Sequence, residues 1–279
     1  MTRVICMVNR KGGSGKTTTA FNLAGALAEQ GYRVLVIDVD PQGSFSRSLS
    51  NNSNGAAPKL SNVLMAPTEE FAKLVQPAPV ENLFVIPADP DLKIIELRYG
   101  ELAGHHNRLR SCLTKFLPDG FDFIFIDCPP SLSILTSNAL VAAQEVIIPV
   151  DGSTYGTEAL KDTLESIKLV QEEVNPDLHI CGILLGNVNR RTIYDQTVEE
   201  TYRSRFMDKV FDTVIPTSIK ADEAAMLGKP VTHYVSSSDL AQCYRRLAEE
   251  VVSRNQTKWS PKEKSSGLAR KLSSIAAHR

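Results

Sequence analysis

Residues 9–19 read N-R-K-G-G-S-G-K-T-T-T, with Lys11 and Lys16 flanking a run of closely spaced glycines. Backbone N–H groups from about Gly13 to Thr18 can curl inward around phosphate oxygens only where the chain turns tightly, and glycine permits that turn. A helix starting near Lys16 would add the positive end of its dipole. The Lys16 ammonium suits β- and γ-phosphates, and the Thr17 hydroxyl suits Mg²⁺. A Gly/Ser turn that merely contains lysines is the competing reading. It leaves unexplained the apolar strand candidate Val4–Val8 before the loop and the helical run after it. The usual G-x-x-x-x-G-K-T spacing would require glycine at position 10, where the chain has Arg10, and Lys11 is a second lysine outside that pattern.

Acids close other apolar runs. R-V-L-V-I-D-V-D-P-Q-G-S ends in Asp38 and Asp40, and F-D-F-I-F-I-D-C-P-P-S-L places Asp127 after an apolar stretch. Such acids can reach Mg²⁺ directly or through water, and a carboxylate such as Asp40 can orient an attacking water. Singly, each could equally be a helix cap or loop residue. Their convergence with a phosphate loop favours the metal.

These residues need a scaffold. Strand-length apolar runs fall at 4–8, 34–39, 83–87, 121–127, 146–150, 180–188 and 214–215. Helical stretches lie at 17–30, 91–98, 108–117, 133–143, 157–174, 194–208 and 240–254. Their alternation predicts an α/β fold: a mostly parallel, twisted sheet with helices on both faces and ligands at the strand carboxyl ends. The polar segment 42–79 is expected to form a loop with short helices. At 279 residues the chain can bury a full core. No stretch approaches the roughly 20 apolar residues that span a bilayer, and no signal peptide is evident. The five cysteines lack C-x-x-C spacing and read as buried reduced thiols of a cytoplasmic protein. His105 and His106, adjacent rather than at metal-ligand spacing, are expected at the surface. From Asn255 the chain carries about +5, leaving the remainder near −6, so residues 1–254 are expected to form the domain and 255–279 a basic tail.

K-G-G-S-G-K-T-T (11–18), D-V-D-P-Q-G-S (38–44) and I-D-C-P-P-S-L (126–132), followed by V-I-P-T-S-I-K-A-D-E-A-A-M-L-G-K-P-V (214–231), closely resemble the ParA/Soj branch of the deviant-Walker P-loop ATPases. The resemblance covers about residues 1–254. It implies that Lys11 is the signature lysine, reaching across an ATP-sandwich homodimer to the partner's phosphates. It implies that Lys16 is the Walker A lysine, with Gly12, Gly13, Ser14, Gly15 and Thr18 completing the loop. Thr17, Asp38 and Asp127 would serve Mg²⁺, and Asp40 water activation. Asn187, Pro216 and Thr217 fall where such proteins contact adenine, and no N-K-x-D guanine motif is present. Arg190, Arg191 and Lys220 fall where relatives contact nonspecific double-stranded DNA, an ordinary solvated charge being the alternative for each.

The family further implies a slow ATPase acting on the nucleoid, stimulated by a ParB-like or other cargo adaptor on a plasmid, chromosome or protein organelle. Two other readings use the same scaffold. Leu268, Leu272 and Ile275 lie among Arg270 and Lys271 at helical spacing, as in a membrane-cycling switch resembling MinD, but the stripe is short and lacks Phe or Trp. A metal-cluster carrier would need cysteines paired at a dimer axis, and only Cys128 lies near the site residues.

Overall fold

A computed structural model of the chain describes residues 2–44, 46, 58–98, 105–152, 156–189 and 192–254. Seven strands form one sheet: β1 (Arg3–Met7), β2 (Val34–Asp38), β3 (Gln76–Pro77), β4 (Leu83–Ile86), β5 (Phe123–Asp127), β6 (Glu145–Asp151) and β7 (His179–Gly186). Their order is β3-β4-β2-β5-β1-β6-β7. All neighbours are parallel except the short edge strand β3, which runs antiparallel to β4.

Between them lie α1 (Lys16–Glu29), α2 (Leu60–Met65), α3 (Glu70–Lys73), α4 (Leu92–Arg98), α5 (Arg108–Phe116), α6 (Ile134–Ala142), α7 (Gly156–Glu173) and α8 (Ile193–Phe206). Three more follow: α9 (Lys220–Met226), α10 (Val231–Tyr234) and α11 (Asp239–Ser253). The central strands β1, β2 and β5 are buried along their whole length, which explains their near-continuous apolar sequence. Successive side chains still divide between the two faces. Val4, Cys6 and Val8 join a core with Leu109, Leu135 and Leu160 of α5, α6 and α7. Ile5 and Met7 face Leu23 and Leu27 of α1 and Leu247 of α11. Each face thus has its own helical cover, as expected for a doubly covered parallel sheet.

At the end of the sheet where β1 and β6 begin, Arg3 and Glu145 form a bidentate ion pair at 2.7 and 2.6 Å, and Arg3 also donates to the carbonyl of Val251 at 2.7 Å. Both side chains are almost fully buried. The pair fixes β1, β6 and the end of α11 together on the side opposite the strand carboxyl ends.

Three expectations change. His105 and His106 are buried, not at the surface, because the turn that carries them packs on α6, where Asn138 donates to the His105 carbonyl at 2.8 Å. Residues 214–215 form no strand: Ile215 N–H donates to Leu185 O at 2.9 Å, but the backbone after β7 leaves the extended region at Asn187 (φ +58°), so only an isolated bridge between Pro216 and Val188 follows. The 42–79 segment contains α2 and α3 as expected, but its end pairs as β3. All five cysteines are buried and free. The basic tail and its apolar stripe lie outside the described residues.

Candidate functional site

The loop after β1 turns at Gly13 (φ +74°) and Gly15 (φ +85°), conformations that L side chains avoid. Gly15 precedes α1 without a side-chain cap, and no acid sits in the first turn, so the N-terminal N–H groups of α1 stay available. They open onto a cavity of about 410 Å³ at the carboxyl ends of the strands, bordered on the loop side by residues 12–19. The Ser14 hydroxyl is buried there without a hydrogen-bond partner among the described residues.

Lys16 is buried, with Nζ 3.2 Å from the carbonyl of Lys11. Burial lowers its pKa, and the Asp127 and Asp40 carboxylates oppose that shift. Lys11 goes elsewhere. Its ammonium pairs with Asp151 at the end of β6, and it is not among the residues lining its own chain's cavity.

β2 and β5 pair in register through Asp38 and Asp127, which sets two carboxylates side by side. Both are fully buried or nearly so, and their surroundings differ. Asp38 Oδ2 accepts from the Ser46 hydroxyl at 2.6 Å and the Ser46 N–H at 3.1 Å, while Oδ1 accepts from Asp40 N–H at 3.0 Å. Burial pushes its pKa up to about 6 against those hydrogen bonds. Both of its oxygens are engaged in holding the 40–46 turn. Neither oxygen of Asp127 makes a well-formed hydrogen bond to a described residue. Burial and then Asp38 push its carboxyl well above the usual range, while the nearby Thr17 hydroxyl and Lys16 favour the charged form. A divalent cation placed among Asp127, Thr17 and a phosphate would satisfy these oxygens and reverse that shift. Asp40 lines the cavity, half-buried, with its Oδ1 accepting from Gln42 N–H at 2.8 Å.

The far wall holds Gly186, Asn187, Ile215, Pro216, Ser218 and residues of α9 and α11. Asn187 lines it with a left-handed backbone, φ +58°. Thr217, expected beside Pro216, does not line the cavity: its N–H turns back to Val188 O at 3.3 Å. Lys220 is half-exposed on α9 and pairs with Glu223 at 2.8 Å. Arg190 and Arg191 lie outside the described residues.

Known proteins resemble this chain in sequence and in fold. The family profile described as an AAA domain matches residues 2–180. The chromosome partitioning protein ParA of Caulobacter vibrioides is 40% identical over 257 residues, covering 91% of this chain and 95% of that protein. The chromosome-partitioning ATPase Soj of Thermus thermophilus is 41% identical over 254 residues, 91% of this chain and 97% of its own. The chain belongs to the ParA/Soj family of P-loop ATPases. Among solved structures, a Mycobacterium smegmatis protein described as cobyrinic acid a,c-diamide synthase with bound ADP and magnesium is 32% identical. Its TM-score is 0.78, with 94% of this chain and 100% of that one covered. MinD of Pyrococcus horikoshii complexed with Mg-ADP is 26% identical with a TM-score of 0.70, over 91% of this chain and 97% of its own.

The ParA/Soj signature G-K-P has a packing explanation here. Gly228 takes φ +63° to end the turn of α9, and Pro230 lies directly over Gly25 of α1, where an added Cβ would meet its ring at 2.3 Å. Asn22 Oδ1 then accepts from Val231 N–H at 2.7 Å. The helix that starts at the phosphate loop is thereby locked to the segment forming the far wall. Sequence reading missed Asp222, Leu240 and Tyr244 in that wall. The i, i+4 spacing of Leu240 and Tyr244 was a readable signal for a helix face, but nothing local shows that this face meets a cavity.

Proposed function

We propose that this ParA/Soj ATPase is a dimerisation switch. Two chains sandwich two ATP molecules, the dimer binds nonspecific DNA of the nucleoid, and a ParB-like or other cargo adaptor stimulates slow hydrolysis. One observation carries the reading. The two lysines of a single loop are sent to different places, Lys16 into the cavity and Lys11 away from it. A lysine turned away from its own chain's cavity and held by Asp151 can serve the cavity of a second chain.

The cavity has room for a nucleotide between an anion-binding end and a mixed apolar and polar end. Thr17 and Asp127 would hold Mg²⁺, whose chemistry is to neutralise phosphate charge during transfer. Asp38 fixes the 40–46 turn so that Asp40 faces the phosphates, where it would orient the attacking water. Asn187 and Pro216 would flank the base. Dimerisation doubles the cations offered to DNA, and affinity depends steeply on that number. The relatives named for chromosome partitioning support a chromosomal cargo.

Two variants test the switch together. Lys16→Ala should lose ATP binding and dimerisation alike. Lys11→Ala should keep measurable ATP binding by calorimetry yet stay monomeric by sedimentation with a non-hydrolysable ATP analogue. An ATP-dependent Lys11→Ala dimer of wild-type affinity would remove the sandwich reading.

The membrane-cycling reading draws on the MinD likeness and on the apolar stripe of the tail. ATP-dependent co-sedimentation with anionic liposomes would favour it over the DNA reading. The cluster-carrier reading has a physical obstacle: Cys128 has no exposed surface, and burial keeps its thiol protonated.

A further inference from the structure

We propose that Asp151 is a latch that holds Lys11 on its own chain until a partner's triphosphate takes it. The inference rests on the sandwich reading above and adds its regulation. Lys11 and Asp151 keep only 24% and 17% of their side-chain surface in water, so solvent screens the pair incompletely.

The backbone around Lys11 is fixed to the same part of the molecule. Asn9 Nδ2 donates to Pro149 O at 2.7 Å, and Asn9 Oδ1 accepts from Lys11 N–H at 2.9 Å. Arg10 pairs with Asp162 of α7 at 2.6 Å, and its N–H donates to Thr163 Oγ1 at 3.3 Å. Three consecutive residues are thus tied to the end of β6 and to α7. With the loop held, the only part of Lys11 able to change partner is its flexible four-carbon stem.

The latch sets the threshold that the triphosphate must overcome. The Asp151 carboxylate competes with the partner's nucleotide for one ammonium. A γ-phosphate, richer in charge and in acceptor oxygens, can displace a carboxylate, whereas ADP offers nothing at that point. Removing the carboxylate therefore favours the ATP dimer, in which Lys11 must leave Asp151, and leaves ADP-state association unchanged, because there Lys11 has no reason to leave.

The test is sedimentation velocity of the full chain over a concentration series, with Mg-ADP and with a non-hydrolysable ATP analogue. Asp151→Asn should dimerise about three- to tenfold more tightly than wild type with the ATP analogue and no more tightly with Mg-ADP, widening the gap between the two. Asp151→Glu, which keeps the charge, should retain the wild-type gap. Asp151→Ser, smaller and equally neutral, gives the same readout should the asparagine variant not fold. Unchanged or weaker dimerisation of the neutral variants with the ATP analogue overturns the latch, as does identical behaviour of the Asn and Glu variants, which would mark a merely structural role. A wild-type chain that stays monomeric with the ATP analogue overturns the sandwich reading itself, and the latch with it.

Discussion

His106 is 7% exposed, lies against His105 with the two rings tilted and their centroids 4.2 Å apart, and has neither ring nitrogen hydrogen-bonded among the described residues. Burial, and then the neighbouring His105, lower its pKa to about 4. Burial and then the charge of Arg108 oppose protonation of His105 in turn. The sign of the linkage follows. The unfolded chain binds a proton near pH 6.5 that the folded chain refuses until about pH 4, so stability falls as pH drops through that window. The loss should reach about 2–3 kcal/mol for this residue. Urea unfolding at pH 7 and pH 4.5 should show His106→Leu losing less stability on acidification than wild type. Equal losses would show that His106 already finds a compensating partner. At the catalytic end the same residue-scale logic separates two aspartates that look alike in sequence: Asp38 has its oxygens hydrogen-bonded by its own turn, and Asp127 does not. Asp127→Asn should therefore raise the thermal stability of the nucleotide-free chain, by relieving a buried carboxylate, while abolishing the further rise that Mg-ATP gives wild type. Differential scanning fluorimetry with and without Mg-ATP measures both.

At the scale of elements, the contact of α1 with the Gly228–Pro230 turn decides how the two walls of the cavity stay in register. Gly25 in mid-helix costs about 1 kcal/mol of helix propensity relative to alanine. The geometry nevertheless excludes alanine, because its Cβ would lie 2.3 Å from the Pro230 ring. Overpacking of this kind costs about 1–3 kcal/mol, so the clash outweighs the propensity gain. Gly25→Ala should lower Tm and weaken ATP binding as well, since Ser218 and Asp222 of the far wall sit on the segment that must shift. A variant with raised Tm and unaltered ATP affinity would mean that Pro230 retreats without disturbing α9.

For the whole molecule, the proposed DNA-binding dimer would depend on the number of cations it presents. The chain's formal net charge is −1, so general attraction to a polyanion is weak and any DNA surface must be local. Lys220 pairs with Glu223 across a half-exposed surface, a contact that DNA phosphates can replace at small cost. In the ATP state, Lys220→Ala should reduce the slope of log K against log salt by about 2 per dimer, one contact being lost from each chain. Fluorescence anisotropy on random-sequence duplexes over a salt series measures it. An unchanged slope would leave Lys220 an ordinary surface charge.

The phosphate loop, the three aspartates and the doubly covered parallel sheet were all legible in the sequence, because each depends on local rules. Glycines must stand where the backbone turns through positive φ at Gly13 and Gly15, and strands buried on both faces must be apolar throughout. Lys11 too was visible as a residue too many. What local rules could not supply was the company each residue keeps. His105 and His106 read as surface residues and 214–215 as a strand, whereas packing on α6 buries the first and the turn of the backbone at Asn187 leaves the second an isolated bridge. Sequence gave Asp38 and Asp127 the same role, and only the 40–46 turn folding back onto Asp38 distinguished them. Lys11 and Asp151 lie 140 positions apart, joined because β1 and β6 are neighbours in the sheet. The chemistry of the opening loop belongs to its sequence, but the direction in which its second lysine points is a property of strand order.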